Sequence, residues 1–184
     1  TVFEYAIAPS SLTRATLTFV PPTSTPTEYF ILHTPFKFYK YLEQIWASGY
    51  VTNQGVMVNN LQKSLCEYLG VKNLHYVSNG TVALELALEA LEIKDGEVIT
   101  TPFSYVATSS SIIWKNLKPV YVDIEPDNFT IDVTKIEEKI TDKTKAIMPV
   151  HVFGFACNIE EIEKIANKYN LKVIFDAAHA FGAK

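Results

Sequence analysis

Apolar positions along the chain first recur with helical spacing at residue 36, where Phe38, Tyr39, Leu42, Ile45 and Trp46 share one face and Gly49 supplies a stop. A second helix follows the turn TNQG, with Val58, Leu61, Leu65 and Tyr68/Leu69 in one stripe and Gly70 as its C-terminal glycine. Beyond Gly70 the pattern changes to short apolar runs alternating with helical stretches. LHYV precedes a helix from Thr81 to Leu91, EVITT a helix near 105–115, PVYVDI a helix near 133–140, and AIMPVHV a helix near 159–169, with LKVIFD as the last run. Continuous apolar strands, each followed by a helix, predict an α/β fold built on a mostly parallel sheet covered on both faces. VALELALEALE is apolar on most sides and is expected to lie deep against that sheet.

Residues 1–35 do not share this order. They hold five of the nine prolines and many Ser and Thr, and no periodicity persists, so they are read as an irregular N-terminal extension; a docking arm is the functional alternative. Charge narrows the partners further. With 16 basic and 20 acidic residues, the net charge of -4 leaves no basic excess to neutralise a phosphate backbone, and nucleic acid is not expected as a partner. Cys66 and Cys157 lack any CxxC or Cys/His ligand spacing, which predicts neither a disulfide framework nor a metal site and fits a reducing cytoplasm. No apolar run approaches the ~20 residues that span a bilayer, and no basic n-region precedes an apolar core, so no membrane partner is expected.

In open α/β sheets ligands collect at the carboxyl ends of the strands, which makes the polar residues just past each apolar run the candidates for chemistry. They are Ser78-Asn79-Gly80-Thr81, Phe103-Ser104-Tyr105, Asp123, His151, and Asp176 with His179. The first group reads strand, turn, helix. Gly80 would allow close backbone approach, and the amides of Thr81 and Val82 at a helix start could cradle a phosphate; ordinary N-capping by Ser or Asn is the alternative. Neither a Walker loop nor a GxGxxG fingerprint is present, which disfavours ATP and NAD. Asp176 closes the buried run KVIF, where a carboxylate is costly unless a cation or hydrogen bonds satisfy it. A protonated pyridine nitrogen is one such cation; capping of the next turn is the alternative.

The stretches IWASGYVTNQG, YVSNGTVALELAL, GEVITTPFSYVATSSSI, KPVYVDIEPDNFTID, KAIMPVHVFG and VIFDAAHAFGA carry a specific resemblance. From Phe36 to Lys184 the chain resembles the sugar aminotransferase family often called the DegT family, fold type I pyridoxal-phosphate enzymes. The resemblance implies a three-layer sandwich in which residues 36–184 form an incomplete large domain. It also implies pyridoxal 5'-phosphate as cofactor, with Gly80, Thr81 and Val82 on its phosphate, Tyr105 stacked on the pyridine, Asp176 paired with the pyridine nitrogen and His179 at the ring hydroxyl. Asp176 and His179 would be the catalytic side chains of this segment. Without the family, Tyr105 reads as a core aromatic on a helix face. His151 matches a family position and is read as a supporting residue.

The activity implied is transfer of an amino group, typically from glutamate, to a keto group of a nucleotide-linked deoxy sugar, in a cytoplasmic homodimer serving polysaccharide biosynthesis. The family's Schiff-base lysine is expected beyond DAAHAFGA, after a further strand. Lys184, eight residues past Asp176 with Gly182 between, does not match that position. Two other functions share the pattern: a sugar dehydratase of the same fold, in which histidine replaces that lysine, and a non-catalytic dimerisation module on a degenerate aminotransferase scaffold.

Overall fold

The structure, a computed structural model, describes residues 2–7, 14–20 and 27–182, with side chains described from Phe38 onward. The chain divides into two units, Pro21–Leu74 and a larger one made of Thr1–Val20 with His75–Lys184.

The smaller unit holds α1 (Thr27–Ser48) and α2 (Val56–Leu69). The helix expected from Phe36 thus begins upstream, at Thr27, because TEYFILHT is compatible with helix even though its apolar spacing is irregular. Gly49 takes the left-handed conformation (φ 64°) and Ser48 Oγ donates to the Ile45 carbonyl, closing α1. Gly70 closes α2 in the same region of φ/ψ space, its N–H reaching the Cys66 carbonyl. Of the expected α2 stripe only Leu65 is buried, and Leu61 and Tyr68 are exposed.

The larger unit is built on a seven-stranded sheet. In chain order its strands are β1 (Val2–Ile7), β2 (Arg14–Val20), β3 (His75–Val77), β4 (Glu97–Thr100), β5 (Lys118–Tyr121), β6 (Thr144–Ile147) and β7 (Lys172–Ala177), arranged β3-β1-β2-β7-β6-β4-β5. The pairs β2–β7, β7–β6, β6–β4 and β4–β5 are parallel, while β1 runs antiparallel to both neighbours. The strands β1 and β2 fall where the sequence reading expects an irregular extension. RATLTFV alternates but is only seven residues long between Pro9 and Pro21, and VFEYAI does not alternate, so neither stands out over a longer window. Residues 8–13 and 21–26 lie outside the described residues.

The sheet's core follows from strand pleat, because successive side chains point to opposite faces. Val98, Ala146, Met148 and Ile174 pack with Ala83, Leu84, Ala87 and Leu88 of α3 (Gly80–Ala90) and Ile112 of α4 (Val106–Trp114). Their sequence neighbours Ile99, Ile147, Val173 and Phe175 face the other way, onto Ile162, Ile165 and Ala166 of α5 (Ile159–Tyr169). The result is the expected α/β architecture of three layers, helix, mostly parallel sheet and helix. In α5, Asn158 caps the Glu161 N–H at 3.2 Å, Glu160 and Glu161 occupy the first turn and Lys168 the last, which suits the helix dipole. The expected helix near 133–140 is instead two 3-10 turns, Val133–Lys135 and Glu137–Lys139; Asp132 accepts from Thr134 N–H and tightens the first of them. Among the described residues no helix is long and apolar enough to cross a membrane.

At the amino ends of the strands the chain enters β4 through Gly96, held at φ +106°, where an added Cβ would meet the Lys143 carbonyl oxygen at 2.5 Å. The neighbouring Glu97 N–H donates to that same carbonyl at 2.9 Å, so the contact cannot relax without loss of the sheet entry. Gly96→Ala is expected to lower unfolding stability by about 1–3 kcal/mol, the usual cost of a residue held in a disallowed region. Denaturant titration checks this: the midpoint should fall at unchanged slope.

Candidate functional site

The carboxyl ends of β4, β6 and β7 converge on one carboxylate. Asp176, the penultimate residue of β7, is 5% exposed. Its main chain is pinned on both sides, since its N–H donates to the Pro149 carbonyl at 2.9 Å and its own carbonyl accepts from His151 N–H at 2.9 Å. Its side chain accepts from Thr108 Oγ1 at Oδ2 (2.7 Å) and from the Ala178 N–H at Oδ1 (3.2 Å). Thr108 Oγ1 also lies 2.7 Å from Ser104 Oγ. A hydroxyl has one hydrogen, and that of Thr108 goes to the carboxylate, so Ser104 must donate to Thr108. Two neutral hydroxyls in series therefore lead from the turn after β4 to Asp176.

Neutral donors do not fully replace water around a carboxylate, and burial holds the Asp176 carboxyl above its usual range; the Thr108 and Ala178 hydrogen bonds and nearby His179 pull the other way. The site thus contains a buried carboxyl group whose charged form a cation would stabilise. Thr108 was not among the candidates read from the sequence. The signal was its position four residues after Ser104, across the start of α4, where the two hydroxyls come within hydrogen-bond reach.

The other candidates are placed as follows. Asn79 is the N-cap of α3, and its Oδ1 accepts from the Val82 N–H at 3.0 Å, so ordinary capping is realised at Val82. The amides of Gly80 and Thr81 come before the first intrahelical acceptor by position. This helix start is brought near β7 because Ala178 packs against the cluster that holds Ala83 and Leu84. Tyr105 is the residue before α4 and is 77% exposed, so it is not a core aromatic. His179 follows Asp176 in an exposed turn, with its Nδ1 accepting from the Phe153 N–H at 3.3 Å. His151 is buried, stacks on Phe175 at 5.2 Å and accepts the Cys157 N–H at Nδ1 (3.1 Å). The Cys157 thiol donates to the Val150 carbonyl, and burial pushes it up to about 12. Asp123 is paired with Lys135 at 3.7 Å, and its Oδ1 accepts from the Ile124 N–H. Lys184 lies outside the described residues. A cleft of about 780 Å³ lined by Asp95, Thr144, Tyr169 and Lys172 opens at the opposite, amino ends of the strands, remote from Asp176.

Three layers around a mostly parallel sheet, with a buried carboxylate at a strand end, define the class of a three-layer α/β protein. Comparison with known proteins makes this specific. Residues 36–184 match the model of the DegT/DnrJ/EryC1/StrS aminotransferase family, and the chain belongs to that family. It is 55% identical over 146 residues to the dTDP-4-amino-4,6-dideoxy-D-glucose transaminase of Escherichia coli, covering 79% of this chain and 39% of that protein. Among solved structures, DesI in the presence of its TDP-sugar product superposes with a TM-score of 0.76 at 30% identity, over 80% of this chain and 38% of that one. NtdA from Bacillus subtilis with bound cofactor PMP gives a TM-score of 0.73 at 36% identity, over 87% and 37%. The chain spans about two fifths of the length of the curated relatives it matches, 39% and 40% for two of them.

The buried carboxylate has a consequence for stability. A carboxyl whose folded-state value is raised above its ordinary 3.8 favours folding fully below 3.8, and that contribution is lost as pH rises through the folded-state value. Asp176→Asn keeps the shape and removes the charge. Its Oδ1 can take the Ala178 N–H while its Nδ2 donates to Thr108, which then donates to Ser104. In the cofactor-free complete protein this variant is expected to be more stable than the parent above the folded-state value and to lose the fall in stability on the way there. Urea titrations across that window measure both.

Proposed function

We propose that the complete protein transfers an amino group, with glutamate as donor, to a keto group of a nucleotide-linked deoxy sugar, using pyridoxal 5'-phosphate. The observation that carries this reading is the Asp176 carboxylate, buried at a parallel-strand end, raised by burial and met only by neutral donors among its described hydrogen bonds. Family membership and the dideoxy-sugar transaminase relative support the reaction class.

The residues present fit the cofactor. When bound, it supplies an electron sink for the substrate carbon that exchanges its amino group. Asp176 would hold a proton on the pyridine nitrogen, and the Ser104–Thr108 relay would keep its carboxylate oriented by occupying Oδ2. Amides of Gly80 and Thr81, with the Thr81 hydroxyl, would hold the phosphate at the α3 start; Val82 joins them only if Asn79 gives up its cap. Tyr105, already exposed beside Ser104, would cover the ring face, and His179 would meet the ring hydroxyl. The lysine that would bind the cofactor covalently and shuttle the proton is proposed to lie beyond the segment DAAHAFGA. The protein is further proposed to act in the cytoplasm, in polysaccharide biosynthesis, as a homodimer. Residues 36–184 are taken as the incomplete aminotransferase large domain, with β1 and β2 of the preceding segment joined to its sheet.

The test supplies the complete protein with pyridoxal phosphate, glutamate and a dTDP-linked 4-keto-6-deoxyhexose, and follows the aminated sugar nucleotide by mass spectrometry. Product is expected from the parent and none from Asp176→Ala, which should also retain cofactor about 10- to 150-fold less tightly, equivalent to ~1.5–3 kcal/mol for a charge-assisted hydrogen bond. Near-normal turnover of that variant would remove Asp176 from the chemistry. Light scattering should give a dimer, and a strictly monomeric, fully active enzyme would contradict the assembly.

A further inference from the structure

We infer that Phe153, through its main-chain amide, sets the tautomer of His179, so that this histidine offers its ligand a donor at Nε2. The inference deepens the reading above and rests on it only for the identity of the ligand.

A backbone N–H can only donate. With the Phe153 N–H directed at His179 Nδ1 at 3.3 Å, that nitrogen must carry the lone pair, and the single proton of the neutral imidazole resides on Nε2. The amide reaches this direction because Phe153 sits in the left-handed region, φ 53° and ψ 17°, which an aromatic residue rarely adopts. Gly154 continues the turn at φ +88°, and an added Cβ there would meet the His179 carbonyl oxygen at 3.1 Å. The two residues therefore approach His179 at both its ring and its main chain. The Phe153 ring lies parallel to the imidazole, within 2°, at a centroid separation of 6.2 Å.

The turn that presents Phe153 is itself fixed to the strand end. Gly154 N–H donates to the His151 carbonyl and Phe155 N–H to the Val152 carbonyl, while the His151 N–H binds the carbonyl of Asp176. One short segment thus runs from the main chain of Asp176 to the ring of His179. A backbone conformation that disfavours most side chains persists where surrounding structure over-determines it, and such positions gather at functional sites. Phe153 is a positioning residue in this arrangement. An Nε2–H donor selects an oxygen acceptor on the ligand, such as the 3-hydroxyl oxygen on the pyridine ring of pyridoxal phosphate, over an analogue that lacks it.

The test reads the histidine directly. Long-range proton–nitrogen correlation of the complete, cofactor-free protein labelled with 15N-histidine is expected to show His179 with an unprotonated, hydrogen-bonded Nδ1 and a protonated Nε2. An Nδ1–H tautomer, or fast averaging of the two, would overturn the inference. Phe153→Gly tolerates the left-handed backbone and keeps the amide, so it should preserve the signature and serve as the fold control. Phe153→Val, β-branched and ill suited to that conformation, should lose the bias and give a mixed tautomer at unchanged circular dichroism; an unchanged signature there would show that Phe153 does not set the tautomer. Titration with pyridoxal phosphate and with its 3-deoxy analogue then separates the two readings. If His179 has the expected tautomer yet its signals ignore pyridoxal phosphate, the cofactor contact fails and the positioning role stands.

Discussion

A carboxylate withdrawn from water imposes conditions on everything around it, and in this protein those conditions fall on Asp176. Its oxygens need donors, so the start of α4 must stand close enough for Thr108 to reach across 68 residues of sequence separation. The turn from Thr101 to Tyr105 must then bring Ser104 behind Thr108. The main chain must be held on both sides, which the Pro149 carbonyl and the His151 amide accomplish as the chain leaves β6. None of this would survive a one-residue slip of β7, because the pleat would exchange Asp176 and Phe175 between faces and bury the carboxylate against Ile162 and Ile165.

Sheet and site also divide their tasks between side chain and backbone. Apolar side chains set the layers, and the split of Val98 from Ile99, Ala146 from Ile147 and Ile174 from Phe175 leaves almost no freedom in strand register. At the strand ends, main-chain groups take over: the helix-start amides of α3, the amides of His151 and Phe153, and the N–H of Ala178.

Much of this is legible in the sequence itself. Alternation of short apolar runs with helical stripes announced the parallel sheet because each run is buried on both faces and each helix has an apolar stripe of its own. Asp176 was legible because a charge at the end of such a run needs a reason. The hairpin of β1 and β2 was not, since VFEYAI does not alternate and the seven alternating residues of RATLTFV carry too little periodicity to distinguish from loop. Residues 133–140 hold apolar side chains at Val133, Ile136 and Ile140, spacing that serves two 3-10 turns as well as an α-helix. Tyr105 was ambiguous until its exposure was known, because an aromatic beside a helix start satisfies the core and the surface patterns alike. Thr108 and Phe153 escaped for a deeper reason: one acts through a contact distant in sequence and the other through its amide, which every non-proline residue possesses.

The buried thiol of Cys157 lies against this same strand end, donating to Val150 while its amide holds His151. With the thiol pushed up to about 12, scarcely any thiolate exists at neutral pH, and the folded form is inert toward alkylating reagents. Any modification of Cys157 must wait for the segment between β6 and α5 to swing open. Its labelling rate therefore acts as a clock for local opening at the Asp176 end of the sheet, and ligands that tighten that end would slow it.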